Sequence, residues 1–336
     1  MAVKPLRVVA IGGGTGLSTL LRGLRRHVAV PGQAEAQDGA IGDLAAVVTV
    51  TDDGGSSGRL RQDFNMLPPG DLRNCMVALS EQEDLLTQLF GHRFRGGDSL
   101  KGHNVGNLFV AALTEITGDF AQAVQLASKI LATRGRIYPA TTANTTLVAR
   151  MDDGSLVRGE TSITASRRRI VELTLDPPNP RPLPETLEAI ERASLITVGP
   201  GSLYTSLITN LLVDGIPQVL AQARGLRVYI SNLMTQANES LGLTASEHIE
   251  RIYEHTRAPI FDCALVNTAP FSPETLARYA AEGAAPIHAD IERIQALGVR
   301  CIAGNFASEE SVVRHNANRV TGALLALGQA APSARD

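Results

Sequence analysis

The sequence predicts a doubly wound α/β fold: a mostly parallel, Rossmann-like sheet carrying a small antiparallel β insert. Three observations carry this expectation. Short Val- and Ile-rich runs alternate with longer segments of helical apolar spacing, the order that yields parallel strands joined by right-handed crossovers. Two of those runs lead into glycine-rich turns, Gly12-Gly13-Gly14-Thr15-Gly16 and Gly199-Pro200-Gly201-Ser202. Between residues 145 and 176 the period shortens to that of half-buried strands. The expected organisation is a single large α/β domain over 1–328, with the β-rich insert at about 145–176 and a disordered tail at 329–336.

Each element follows in order. Leu6–Ile11 reads as a buried strand. Ser18–His27 reads as a helix, with Leu17, Leu20, Leu21 and Leu24 on one stripe and Arg22, Arg25 and Arg26 opposite. Leu44–Val50 is a second strand. Leu67-Pro68-Pro69-Gly70-Asp71 is a turn whose Asp71 is suited to cap the next helix. Helices are expected over Glu83–Phe94, Leu108–Ile116 and Phe120–Leu131. Asp152-Asp153-Gly154, between Thr146–Met151 and Ser155–Glu160, signals a hairpin, and Ile170–Leu175 a further strand. After the proline-rich linker Pro177–Pro184, the α/β alternation returns. Strands are expected at Leu195–Val198, Leu226–Ser231, Ile260–Val266, Pro286–Ala289 and Arg300–Ile302. The intervening helices include Leu203–Leu212 and Thr244–His255, and Val312–Leu327 closes the fold.

Composition narrows the function. Among 336 residues, 44% are hydrophobic and 19% charged, the profile of a soluble globular chain. A net charge of −3, 4% aromatics and no Trp argue against a nucleic-acid binder. Cys75, Cys263 and Cys301 are too scattered for a disulfide framework or a zinc site, which fits a reducing compartment. The first apolar run ends at Gly12 and no other approaches membrane length, so a cytoplasmic protein without a membrane partner is expected.

A strand, a glycine turn and a helix start together make an anion site. The glycines let a phosphate approach the backbone, and the free N–H groups and dipole of the helix hold it. Gly12, Gly13, Gly14, Thr15 and Gly16 form one candidate; Gly199, Gly201, Ser202, Tyr204 and Thr205 form the other. Leu17 replaces the third glycine of a dinucleotide fingerprint, and no Lys-Ser/Thr follows, so neither NAD nor a Walker A loop is the best reading. Asp52 and Asp53 end the second strand, where ligands of open α/β sheets bind. They suit Mg²⁺ facing a diphosphate, sugar hydroxyls, or simply a tight turn. Asn104 and Asn107 open a helix as caps or as ligand contacts, and Asn232 follows a strand at the same edge.

Taken together, Ile11–Leu17, Thr51–Arg59, Leu67–Arg73, Gly102–Asn107, Gly199–Ser206 and Asn232–Gln236 resemble the YvcK-type gluconeogenesis factors of the CofD-like superfamily. The resemblance runs from about Leu6 to Leu327. It implies a cytoplasmic bacterial protein that binds UDP-activated sugars such as UDP-N-acetylglucosamine. It also implies a role in cell shape and wall synthesis during growth on gluconeogenic carbon sources. CofD relatives are transferases that join a phospholactyl group to a deazaflavin precursor, using a guanylylated donor and Mg²⁺. Carried over, the phosphate-binding turns match Gly12–Gly16 and Gly199–Thr205, and the acidic pair matches Asp52-Asp53. Tyr279 and Arg314 sit where the family places nucleotide-sugar contacts. One departure is Gln236-Ala237-Asn238-Glu239-Ser240, where the family reads Gln-Pro-Gly-Glu-Thr.

The leading expectation is thus a regulatory nucleotide-sugar sensor with no firm catalytic residue. Its partners would be the nucleotide sugar and a regulatory protein, with self-association left open. The alternative is a Mg²⁺-dependent phospho-group transferase in which Asp52 and Asp53 hold the metal.

Overall fold

A computed structural model of the chain describes residues 4–29, 40–97, 99–166, 168–236 and 239–331. Its first strands are β1 (Leu6–Gly12), β2 (Ile41–Val48) and β3 (Arg136–Pro139). A separate antiparallel sheet comprises β4 (Thr146–Met151), β5 (Leu156–Arg158) and β6 (Ile170–Asp176), ordered β5-β4-β6. Then come β7 (Leu195–Val198), β8 (Leu226–Ile230), β9 (Cys263–Asn267) and β10 (Arg300–Gly304). A short hairpin, β11 (Ala307–Glu309) with β12 (Val313–His315), precedes the closing helix Ala317–Ala330.

The central sheet has seven strands in the order β10-β9-β8-β7-β1-β2-β3, and every pairing in it is parallel. The chain first winds outward from β1 through β2 to β3. It then returns to the other side of β1 and winds outward again from β7 to β10. The direction reverses between β1 and β7, which pair directly, Val8 against Leu195 through Ile11 against Val198. Ligand crevices in open α/β sheets lie at such a reversal, beyond the carboxyl ends of the strands.

Burial on both faces explains why the central strands read as unbroken apolar runs. Val8 and Ala10 pack on one side with Leu17, Leu20, Leu21 and Leu24 of the helix Gly14–Arg25. Val9 and Ile11 pack on the other with Leu203, Leu207 and Ile208, and with Leu147, Ala149 and Leu173 of the antiparallel sheet. That sheet therefore covers one face of the central one.

Several expectations change. The strand β3 is only Arg136-Ile-Tyr-Pro, too short and too mixed to stand out as an apolar run. Pro286–Ala289 is not a strand: Pro286 makes one isolated bridge to Met234. The stretch read as a helix from Val312 begins as β12, and the helix proper starts after the Asn316 cap. That helix also takes in residues 329 and 330, which were assigned to a tail; residues 332–336 lie outside the described residues. The helix after the second glycine turn is π-wound over Leu203–Ile208. Asp71 is not a cap: Pro69 holds that position in the helix Gly70–Leu79, and Asp71 lies in the first turn.

Candidate functional site

The two glycine turns follow the two strands that flank the reversal point, and they touch. A Cβ on Gly16 would stand 2.5 Å from the Pro200 carbonyl oxygen. The Gly199 N–H donates to the Ile11 carbonyl at 3.0 Å. Asn210 Nδ2, reaching back from the second helix, donates to the Gly12 carbonyl at 3.0 Å. Only glycine suits these places: Gly14 has φ +61° and Gly199 φ +94°, in the left-handed region that L side chains rarely adopt.

Above the turns lies a cleft of about 620 Å³, within the range of roughly 300–1,000 Å³ usual for small-molecule sites. Of the residues the sequence singled out, Gly13, Gly14, Thr15, Gly16, Asp52, Gly201, Ser202, Asn232, Tyr279 and Arg314 line it. Gly12, Asp53, Asn104, Asn107, Gly199, Tyr204 and Thr205 do not.

The exceptions have physical reasons. Tyr204 is buried, and its hydroxyl donates to the Ile170 carbonyl across the core. Thr205 donates its hydroxyl to Glu239 at 2.7 Å, and the Tyr204 N–H donates to the same carboxylate. The start of the second helix is thus held by an internal carboxyl group, the buried Glu239, whose own pKa burial pushes up against those hydrogen bonds. Asn104 caps the helix Val105–Thr117 by accepting the Asn107 N–H, and Asn107 Nδ2 reaches Ser57. A similar device occurs at the first turn. The Gly14 N–H donates to Asp71, a half-buried carboxyl whose pKa rises to about 6, desolvation and the nearby Asp52 outweighing that hydrogen bond. Thr15, Gly16, Gly201 and Ser202, which line the cleft, are what remains for a ligand.

The acidic pair is split. Asp52 stays on the cleft, its Oδ1 accepting the Gly54 N–H at 2.9 Å. Asp53 turns away to accept the N–H and hydroxyl of Thr161 at 2.8 and 2.6 Å. The two therefore do not fit the paired Mg²⁺ ligands that the sequence suggests. Among the described residues, no three His, Cys, Asp or Glu side chains are grouped to hold a metal ion. Asp52 is joined on the cleft wall by Asp71 and Glu160. Burial, then Asp52 and Asp71, drives the Glu160 carboxyl up to about 9, so it is a neutral acid near pH 7.

The opposite wall comes from the helix Pro273–Ala281 and the β11–β12 hairpin. The Tyr279 hydroxyl accepts the Val313 N–H at 2.9 Å, and the Arg278 guanidinium lies 5.6 Å from the Tyr279 ring centre. His315 is neutral: burial lowers its pKa to about 4, and its Nε2–H donates to the Ser231 carbonyl. The loop after β8 clamps the second turn. Asn232 Nδ2 donates to the Gly201 carbonyl at 2.9 Å, and Gln236 Nε2 donates to the Ser202 hydroxyl at 2.9 Å. This leaves Asn232 Oδ1 and Gln236 Oε1 as buried acceptors without a partner among the described residues. Ala237 and Asn238, where the sequence departs from the family pattern, lie outside the described residues.

Sequence reasoning missed Asp71, Glu160 and Arg278 as cleft residues. Asp71 carried a signal, since it sits within one of the quoted motifs. Glu160 carried none, being read as the end of a hairpin strand.

A parallel sheet with a polar cleft at its reversal point, walled by two glycine turns, places the chain among the Rossmann-like α/β proteins. Residues 8–307 match the family model described as 2-phospho-L-lactate transferase CofD, and the chain belongs to that family. It is 46% identical over 324 residues to the gluconeogenesis factor of Halalkalibacterium halodurans, covering 96% of this chain and 97% of that one. It is 44% identical over 328 residues to the gluconeogenesis factor of Bacillus subtilis, covering 97% and 99%. A crystal structure of a Bacillus halodurans protein superposes with a TM-score of 0.90 at 46% identity, covering 96% of this chain and all of that one. No helix among the described residues is long and apolar enough to cross a membrane.

Proposed function

We propose that this chain is a gluconeogenesis factor that works by binding a nucleotide sugar of the UDP-N-acetylglucosamine type and passing that signal to a protein partner. The single observation that carries the reading is the lining of the cleft. Backbone of two touching glycine turns faces one wall, and the cation Arg314, with Tyr279, faces the other. That is a diphosphate's requirement: N–H donors on one side and fixed positive charge on the other. The free acceptors Asn232 Oδ1 and Gln236 Oε1, with the neutral Glu160, suit the hydroxyls and amide of a sugar. The relatives named gluconeogenesis factor support the metabolic setting. A role in cell shape and a cytoplasmic location belong to the same proposal.

Isothermal calorimetry with UDP-N-acetylglucosamine tests it. Saturable heat, weakened by Asn232→Ala, is the expected result; no heat and no thermal shift at millimolar ligand would end the reading.

The family match supports a second reading, a transferase acting on a phosphate ester. It predicts consumption of a labelled nucleotide donor, lost in Asp52→Ala while the fold persists. A broad donor panel left intact counts against it.

A further inference from the structure

A second cavity of about 240 Å³ opens beside the main cleft. It lies between the helices Gly14–Arg25 and Gly70–Leu79 and the segment that follows the helix Glu83–Gly91. Thr15 and Arg314 line both spaces, so the two adjoin. Arg22, Arg73, Arg93 and Arg314 reach this cavity, and among the described residues no carboxylate lines it.

The charge balance there is unusual. Arg22 is neutralised by Glu83, Nε to Oε1 at 2.5 Å. Among the described residues, Arg73, Arg93 and Arg314 have no carboxylate within 4.0 Å. Arg73 is held in place. Its stem crosses Gly106, where a Cβ would stand 2.7 Å from Cδ. Its Nη1 and Nη2 donate to the Phe90 carbonyl at 3.3 Å and to Asn74 Oδ1 at 2.6 Å. Its Nε is buried and has no partner among the described residues. Arg93 is tied to the Gly102 carbonyl at 3.1 Å. Burial and the neighbouring Arg93 both work against the charge on Arg73, while Asp71 and Asp52, farther toward the main cleft, favour it. Guanidiniums held close enough to repel one another favour an anion that bridges them.

We propose that this cavity is a second anion subsite, which takes the phosphate group of a small phosphorylated ligand between Arg73 and Arg93. Arg314 bridges from this subsite to the main cleft. Three unpaired guanidiniums match a phosphate dianion better than a single carboxylate charge. The volume limits the ligand to a phosphate and a few further atoms. The assignment goes beyond the nucleotide-sugar reading and rests on Arg73 and Arg93, which do not line the main cleft.

The test is calorimetric titration of inorganic phosphate into the full chain at constant ionic strength, for the wild type, Arg93→Gln and Arg73→Gln. Arg93 is exposed, so its variant keeps the experiment interpretable if Arg73→Gln fails to fold. The expected result is one saturable event in the wild type, weakened by about tenfold or more in Arg93→Gln, the size of a lost charge-assisted contact. The thermal midpoint of Arg93→Gln in phosphate-free buffer should match that of the wild type. No saturable event, or an affinity unchanged in the folded variants, overturns the subsite. Acetate displacing phosphate at equal concentration overturns its assignment to phosphate. A chain that binds phosphate through Arg93 but not UDP-N-acetylglucosamine keeps the subsite and loses the nucleotide-sugar reading; the reverse pattern does the opposite.

Discussion

Gly16 and Pro200 are in backbone contact: a single added carbon on Gly16 would stand 2.5 Å from the Pro200 carbonyl oxygen. The floor of the cleft is therefore one surface made of two distant turns. Gly16→Ala must push the turns apart, an overpacking that typically costs about 1–3 kcal/mol. At Gly12 the nearest atom to an added Cβ is 3.5 Å away, an ordinary contact. We predict that Gly16→Ala lowers the urea midpoint and weakens ligand binding, whereas Gly12→Ala does little to either. Equal effects from both variants would contradict the contact.

Stability should fall as pH rises. The Asp71 carboxyl is raised from 3.8 to about 6, chiefly by burial, and Glu160 from 4.5 to about 9 by burial together with Asp52, Asp71, Glu239 and Asp53. Both folded values lie above the unfolded ones, so the native state binds more protons in between. The stability linked to each proton is complete below the unfolded pKa and is lost as pH climbs through the folded one. The window is pH 4 to 6 for Asp71 and extends toward 9 for Glu160. Glu160→Gln should therefore raise the urea midpoint more at pH 9 than at pH 5. An identical shift at both values would show that Glu160 does not titrate there.

The same carboxyls set the charge of the cleft wall. An anionic ligand should bind more tightly at pH 6 than at pH 9, because Glu160 loses its proton over that span. Glu160→Gln should flatten this dependence. A profile as steep as that of the wild type would place the responsible group elsewhere.

Strands buried on both faces were legible because their apolar runs are continuous, as in Val8–Ile11 and Leu195–Val198. The four-residue β3, with Arg136 and Pro139 at its ends, had no such run. The glycine turns were legible individually, because glycine clusters are costly without a reason. Their contact was not, since the pairing of β1 with β7 is settled by topology across more than half of the chain. Nor could the sequence say that Asp71 and Glu239 would occupy N–H groups at the two helix starts: both are brought there by tertiary packing. Asp52 and Asp53 are neighbours in sequence, but the backbone turns them to different partners, Gly54 and Thr161. Tyr279 entered only through family resemblance, because nothing in its local sequence marks the wall it builds.

Asn210 offers the sharpest check on the joined turns. It is fully buried, and its Nδ2 donates to the Gly12 carbonyl at 3.0 Å and to the Ser206 carbonyl at 2.7 Å. No other side chain among the described residues supplies the first turn with a donor from the second helix. Removing it in Asn210→Ala withdraws one donor from each carbonyl and leaves a small void, so a loss of about 1–3 kcal/mol is expected. Asn210→Asp keeps the volume but replaces the donor with a buried charge facing two carbonyl oxygens, and should cost more near neutral pH. Protonation restores a single O–H donor, so the aspartate variant should recover part of its deficit as pH falls, while the alanine variant should not. Urea midpoints of both variants at pH 5 and pH 8 read the difference. If the aspartate variant shows no recovery at the lower pH, the side chain at 210 fills space and does not tie the second helix to the first glycine turn.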